Sequence, residues 1–295
     1  MDFSDRIAVC PLCGGEISPW ASKQRKGNLF QYDRCRKCDF LFVNPRPTLA
    51  ALGDYYSLHL DHKPPANPPP PPLTTPDPSS DASRAIAQLL KLRPGTGRML
   101  DVGAGSGAFS LAAQAAGLTV TALEIDPAEA AALAAVPGLR VIPTLFESFE
   151  MPPPSSFDYV LMSHVLEHSQ DPRAWVTKAA LLLSTGGVLA VMLPNFNSIY
   201  RYVAGTRDPF FIPPDHLNHF NAKSLGRLCA SLGLREVHHA TTTRFPSNVI
   251  TKRLRLPGPI VPVVRAMTAT ASSVLDWGTS MTGIGSVLIF HAIKE

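Results

Sequence analysis

The chain has 295 residues, 45% of them hydrophobic, and a formal net charge of +4. That length holds one large domain or a medium domain with an appendage, and the apolar share predicts a real core. A charge this small does not by itself call for a nucleic-acid partner.

The first chemistry-bearing feature is Cys10-Pro-Leu-Cys13 with Cys35-Arg-Lys-Cys38, two Cys-x-x-Cys pairs with 21 residues between them. The spacing matches a zinc ribbon in which Cys10, Cys13, Cys35 and Cys38 supply four thiolates to a tetrahedral, structural ion. Gly14 and Gly15 provide a tight turn after the first pair, and Leu29–Tyr32 and Phe40–Val43 read as the ribbon's strands. Two disulfides, or a redox pair, are the alternatives. The cysteines sit where the apolar stretch of a signal peptide would lie, so no export signal and a cytoplasmic location are expected. Residues 1–47 form the ribbon in this reading. Residues 48–80 hold a short helix at 48–56 and a spacer whose positions 64–78 include nine prolines, five of them consecutive from Pro68 to Pro72.

From residue 81 onward helical and strand patterns alternate. A helix at Asp81–Leu92 leads to strands at 98–102, 119–124, 140–142, 157–162 and 188–193, with helices at 106–116, 127–135 and 172–183 between them. Near-continuous apolar strands separated by helices predict a parallel sheet covered on both faces. A turn at 184–187 precedes the fifth strand. A helix at 222–232 and strands at 235–242 and 285–294 complete the chain. Arg265 and Asp276 keep the apolar stretch within 254–284 far below the roughly 20 residues needed to cross a bilayer. A lid or a homodimer contact is the expected role of that stretch, with attachment to a membrane surface left open.

The first of those strands runs into Leu100-Asp101-Val-Gly103-Ala-Gly105-Ser-Gly107, and the second ends on Glu124. Glycines let backbone approach a ligand, and an acid after the second strand can accept from ribose hydroxyls, so a nucleoside-containing cofactor is indicated. The dinucleotide pattern Gly-x-Gly-x-x-Gly is not met in Gly103-x-Gly105-x-Gly107-Ala-Phe109-Ser110; a triphosphate-binding loop is missing too. Asp126, two residues beyond Glu124, reads as the cap of the next helix.

The glycine run resembles the first motif of class I S-adenosylmethionine-dependent methyltransferases. Phe157-Asp-Tyr-Val, His164-Val-Leu-Glu167-His168, Asp171-Pro and Gly186-Gly187 resemble later segments of small-molecule members related to the ubiquinone-biosynthesis O-methyltransferases. The resemblance implies a Rossmann-like α/β fold with a seven-stranded sheet whose last strand is antiparallel, here carrying an N-terminal four-cysteine ribbon. It implies S-adenosylmethionine bound by Asp101, Gly103, Gly105, Gly107 and Glu124, with Leu145, Phe146 and Ser163 beside the adenosine, and Glu147 in place of an acid absent after the third strand. Some quinone-related members hold a divalent ion with Glu-x-x-Glu-His; His164 occupies the first of those positions here, which leaves a catalytic magnesium out of the expectation.

Downstream, Asp215-His216-Leu-Asn-His219-Phe220 lies in a loop of the kind that meets substrates, among the aromatics Tyr200, Tyr202, Phe210 and Phe211. Methyl transfer is an in-line displacement at a sulfonium methyl, so the protein's tasks are alignment, desolvation and removal of a proton. His216 is the first candidate base, with His219 and His164 as alternatives; the competing role is that His219 and Asn221 cap the next helix. The expected reaction is methylation of a small molecule, most simply on oxygen, with nitrogen or carbon as alternatives. Methylation of RNA or protein would use the ribbon for recognition, but its eight Lys/Arg against five Asp/Glu give only +3 over residues 1–48. A non-catalytic scaffold and a nicotinamide-dependent oxidoreductase complete the alternatives.

Overall fold

The computed structural model describes residues 1–60, 76–150, 156–243 and 275–295. Most of the proline-rich spacer and most of the 254–284 segment lie outside the described residues. The N-terminal part contains strands β1 (Ile17–Arg25), β2 (Asn28–Cys35) and β3 (Leu41–Val43), then helix α1 (Leu49–Leu60). The rest runs α2 (Asp81–Leu92), β4 (Arg98–Val102), α3 (Ala108–Ala115), β5 (Thr119–Leu123), α4 (Pro127–Ala134), β6 (Arg140–Ile142) and β7 (Phe157–Ser163). It continues through α5 (Pro172–Leu182), β8 (Leu183–Pro194), α6 (Ile199–Ala204), β9 (Asn218–His219), α7 (Ala222–Ala230), β10 (Leu234–Thr242) and β11 (Val287–Lys294). The expected strands and helices are present within a few residues. β1 was not foreseen, and β8 begins at Leu183, so residues 184–187 lie inside a strand rather than a turn.

Seven strands form one sheet in the order β10-β11-β8-β7-β4-β5-β6. The five from β8 to β6 are mutually parallel, while β11 lies antiparallel between β8 and β10. Alternation along the strands divides the core. Leu100, Val160, Met162, Leu189 and Val191 face Val176 and Ala179 of α5 and Leu225 and Leu228 of α7. Met99, Val120, Tyr159, Leu161 and Ala190 face Ile86 and Leu89 of α2, Ala112 of α3 and Leu133 of α4. Both faces are covered, which is why these strands read as continuous apolar runs.

Caps set where the helices begin. Asp126 accepts from the amides of Ala128 and Glu129, and Asp171 accepts from that of Ala174, each followed by proline at the first helical position. Asn221 and Ser224 form a reciprocal capping box on α7, so the capping role falls to Asn221 and not to His219.

The ribbon sheet has four strands, β1-β2-β3-β9, and its last strand comes from the second half of the chain. β3 pairs antiparallel with β9, placing Leu41 opposite His219 and Phe42 opposite Asn218. Phe30, Tyr32, Leu41 and Val43 of the ribbon share a third core with Leu52 of α1 and with Phe196, Phe211 and Leu217. The cysteine knuckles join the first core, beside Phe220 and α7. The N-terminal region therefore packs directly on the loop that carries His216 and His219.

Candidate functional site

The chain runs from β4 to β5 and β6 on one side, then crosses to β7 on the other. The carboxyl end of β4 is thus a topological switch point, where ligands bind in open α/β sheets. Val102 is in register with Leu123 and with Met162, so Gly103, Glu124 and Ser163 emerge along the same edge. Gly103 has φ +67°, and a Cβ there would lie 2.5 Å from Val165 Cγ1. Gly105, at φ +53°, has open space where its Cβ would be. Backbone angle requires glycine at both positions, as it does at Gly107 (φ +78°), and close approach requires it at Gly103 and Gly107 as well.

Glu124 is 8% exposed and holds the loop together. Its Oε2 accepts from the Gly105 amide at 2.6 Å, and its Oε1 accepts from the Asp126 amide at 2.7 Å. Each oxygen keeps a second lone-pair direction for a ribose hydroxyl. Asp101 is buried beneath, accepting from Ser110 Oγ at 2.7 Å. Burial, reinforced by the negative charge of Glu124, pushes its pKa up to about 6. Gly107 caps α3 in the left-handed region against Leu133. Leu145 is exposed at this edge, whereas Phe146 is buried against Trp175, whose indole donates to Glu147 at 2.9 Å.

A second group gathers beyond β7. His164 sits in the left-handed region at φ +56°, unusual for a residue with a Cβ, and its side chain is half-exposed. Its Nδ1 lies 3.4 Å from Oε1 of Glu167, a carboxylate that is 1% exposed. Burial acts to raise the pKa of Glu167, but His164, His168 and His216 together outweigh it and hold the group lowered. One donor atom from each of Glu167, His168 and His216 fits within a mutual distance of 4.8 Å. Burial pushes the His216 pKa down to about 4. His219 is fully enclosed, stacked on Phe211 at 4.3 Å with its Nε2 unpartnered, and burial holds its pKa well below the ordinary value. The structure therefore brings His164 and His216 around Glu167 and sets His219 in the aromatic core behind them.

The four ribbon cysteines also converge. The Sγ separations are 3.6 Å for Cys10–Cys38 and 3.6 Å for Cys13–Cys35, and all four sulfurs lie within 4.8 Å of one another. These distances are too long for disulfides. They fit a tetrahedral zinc, whose bonds of about 2.3 Å place sulfurs about 3.8 Å apart. A Cβ on Gly15 would stand 3.2 Å from Cys35 Sγ and 3.3 Å from Cys13 Sγ, so the turn leaves its space to the sulfurs.

Comparison with known proteins decides the family. The signature described as "Methyltransferase domain" matches residues 78–239, more than half of the chain. The chain belongs to the methyltransferase-domain family. It is similar to a "Ubiquinone biosynthesis O-methyltransferase" of Caulobacter sp. (strain K31), 33% identical over 144 residues, which cover 42% of this chain and 57% of that protein. The match thus spans little more than half of the relative's length. Among solved structures, the fold is similar to the 1,6-didemethyltoxoflavin-N1-methyltransferase of Burkholderia thailandensis, with TM-score 0.51, 14% identity, and coverage of 88% of this chain and 97% of that one. It is similar too to a SAM-dependent methyltransferase of Thermotoga maritima described as a possible histamine N-methyltransferase, with TM-score 0.50, 20% identity, and coverage of 72% and 89%. At these identities the likeness is one of fold.

In this member of the methyltransferase-domain family, sequence patterns singled out the glycine loop, Glu124, the cysteines and the histidines, but not their support. Arg46 is buried and donates through Nη1 to the carbonyls of Ser169 (3.1 Å) and Gln170, and through Nη2 to Asn218 Oδ1. The only hint of it in the sequence is the Asn44-Pro-Arg-Pro47 segment that ends the ribbon. No helix among the described residues is long and apolar enough to cross a membrane.

Proposed function

We propose that the chain transfers a methyl group from S-adenosylmethionine to a hydroxyl of a small molecule. The observation that carries the cofactor half is the Gly105–Glu124 contact at the carboxyl edge of β4 and β5. It fixes an open glycine turn and an acid side by side, as a methionine moiety and a ribose diol require. Asp101 supports the turn from below, and Leu145 offers an apolar surface to adenine. The sulfonium already activates the methyl group, so catalysis here consists of alignment and desolvation with proton removal at the acceptor.

His164 is the base in this reading. It leaves the end of β7 directly after Ser163, remains half-exposed, and faces the Glu167 carboxylate, which orients the ring and stabilises its protonated form. His216, the first choice from sequence, is too weak a base once burial has pushed its pKa down to about 4. His219 is walled off. The acceptor lies between His164 and the loop at 208–219, and the ribbon, holding a structural zinc at its four cysteines, forms the wall behind that loop. The small-molecule assignment draws on the ubiquinone-biosynthesis relative and on the histidine cluster at the strand edge.

Calorimetric titration with S-adenosylmethionine, S-adenosylhomocysteine and NAD tests the cofactor. One-to-one binding of the first two, weakened about 10- to 100-fold by Glu124→Ala, is expected from loss of charge-assisted hydrogen bonds. Binding of NAD alone would overturn the proposal. Acceptors are then screened by release of S-adenosylhomocysteine, and His164→Ala is expected to lower kcat with little change in cofactor affinity.

A further inference from the structure

A cleft of about 580 Å3 opens where the two cysteine knuckles meet α5 and α7, and its lining includes Lys37, Arg173 and Arg227 but no acid. Arg173, from α5, donates through Nη1 to the Leu12 carbonyl at 2.6 Å and to Ser231 Oγ at 3.3 Å. Arg227, from α7, donates through Nη1 to the Lys37 carbonyl at 2.6 Å. Each knuckle is thus held by one arginine. Among the described residues, Nε and Nη2 of both guanidiniums and the Lys37 ammonium have no hydrogen-bond partner, and no carboxylate pairs with the three cations. Arg34 and Arg36, beside the same cysteines, pair with Asp39 and Glu16 instead.

A second cleft, of about 540 Å3, adjoins the first through Pro11 and Arg173. Its walls include Ile7, Ala174 and Leu181, and Leu181 is 76% exposed. Most of its polar side chains are engaged within the protein. Arg46, Gln170 and Lys178 donate to backbone carbonyls, and Asp171 caps α5.

We propose that the two clefts together bind a soluble small molecule carrying a phosphate group on an apolar body. The phosphate lies among Lys37, Arg173 and Arg227, and the body lies against Ile7 and Leu181. Phosphate carries close to two negative charges at neutral pH, and guanidinium edges meet its oxygens in pairs. One nitrogen of each guanidinium is already tied to a knuckle carbonyl, so the free edges are held before a ligand arrives and cost less to order. Thiolate charge at the cysteines draws cations to the knuckles, but it leaves these donors open. Volumes of this size suit a small molecule, and a net charge of only +4 argues against a polynucleotide. None of the lining residues belongs to the glycine turn or to the His164–Glu167 group. The ligand is therefore additional to the cofactor, and its binding does not depend on methyl transfer.

The test is calorimetric titration of the full-length, zinc-loaded protein with phenyl phosphate, inorganic phosphate and phenol. Expected is one phenyl phosphate per chain, bound more tightly than either of the other two. Lys37→Glu and Arg227→Gln each lower that affinity at least about tenfold, the loss of a charge-assisted contact. Leu181→Ser weakens phenyl phosphate but not inorganic phosphate. Arg140→Gln, which removes an exposed cation from edge strand β6, changes neither. The Lys37 side chain holds nothing in place, so Lys37→Glu keeps the fold, and thermal unfolding of each ligand-free variant verifies it. No saturable binding, no loss in either cleft variant, or an equal loss in Arg140→Gln would overturn the site. Equal affinity for phenyl and inorganic phosphate would remove the apolar body. Tighter binding of a single-stranded oligoribonucleotide, or of vesicles containing phosphatidic acid, would overturn the assignment to a soluble small molecule.

Discussion

Arg46 and Asn218, separated by 172 positions, meet in a 2.7 Å hydrogen bond from guanidinium Nη2 to amide Oδ1. Asn218 Nδ2 donates in turn to the Ser169 carbonyl at 2.7 Å, and the Leu217 amide donates to the Glu167 carbonyl at 2.9 Å. The end of the ribbon, the turn carrying Glu167 and His168, and the loop carrying His216 are thus fastened at one point.

Arg46→Met keeps much of the side-chain volume but removes the guanidinium donors to the Gln170 carbonyl and to Asn218 Oδ1, leaving the Ser169 carbonyl to Asn218 alone. The expected cost is about 2–4 kcal/mol in denaturant unfolding, the sum of one or two lost charge-assisted bonds. Arg46→Lys recovers part of it, because an ammonium cannot span the same acceptors as a planar fork. A loss below 0.5 kcal/mol would show that the fastening carries no stability.

Asp101 trades stability for its site. Unfolded, its carboxyl ionises near 3.8; folded, burial first and then the charge of Glu124 raise that value to about 6. The folded state binds more protons between those values, so the contribution is full below 3.8 and is lost as pH rises through 6. Asp101→Asn removes the ionisation and is expected to raise stability by up to about 3 kcal/mol at pH 7, with little change at pH 4. Denaturant titrations at the two pH values check this, and equal gains at both would refute it.

How much of this was legible in the sequence follows from how local each signal is. The glycine turn, Glu124 and the Asp-Pro helix starts at Asp126 and Asp171 are fixed by neighbours within a few residues, and their elements lie where the patterns put them. Near-continuous apolar strands separated by helices predicted the parallel sheet, because both of its faces are covered. The pairing of β3 with β9 and the meeting of His216 with Glu167 have no such signature. Leu41 and His219 pair across 178 positions of sequence, so no local pattern marks their meeting. β1 escaped notice because Ile17–Arg25 is mostly polar and only half-buried, giving no apolar alternation to read. Phe146, chosen for adenine by its place after the third strand, packs inward because the short helical turn at Phe146–Ser148 aims it at Trp175.

His291 gives the fold its own pH response. It lies in β11, in register with Ala190 of β8 and His238 of β10, and its Nδ1 has no partner. Burial, with a smaller effect of His238, pushes its pKa from 6.5 down to about 4. Between those values the unfolded chain binds the extra proton, so this contribution is complete above 6.5 and is lost as pH falls toward 4. From pH 7 to pH 5 the expected loss is about 2 kcal/mol from this residue. His216 and His219 shift in the same direction and steepen the slope. His291→Leu is expected to shrink the pH 7 to pH 5 difference by about that amount in denaturant unfolding; an unchanged difference would assign the slope elsewhere.

With a zinc ion at the four cysteines, as proposed, its removal tests whether the N-terminal region is an appendage or part of the site. A detachable ribbon would lose its own order and leave the remainder untouched. The pairing of β3 with β9, the 2.9 Å bond from the Val43 amide to the Leu217 carbonyl, and the 2.8 Å bond from Asn221 to Asp39 argue otherwise. Chelation of one zinc per chain is therefore expected to raise amide hydrogen exchange in β1 to β3 and also at Leu217 to His219. Thr119–Leu123, deep in the parallel sheet, should stay protected. Affinity for S-adenosylmethionine, proposed to bind at the carboxyl edge of β4 and β5, should change little, while turnover of any acceptor is expected to fall because the loop holding His216 loosens. Exchange confined to residues 17–43 would separate the ribbon from the site. Loss of protection throughout would mean that the ion supports the whole fold, since its cysteines lie in the same core as α7.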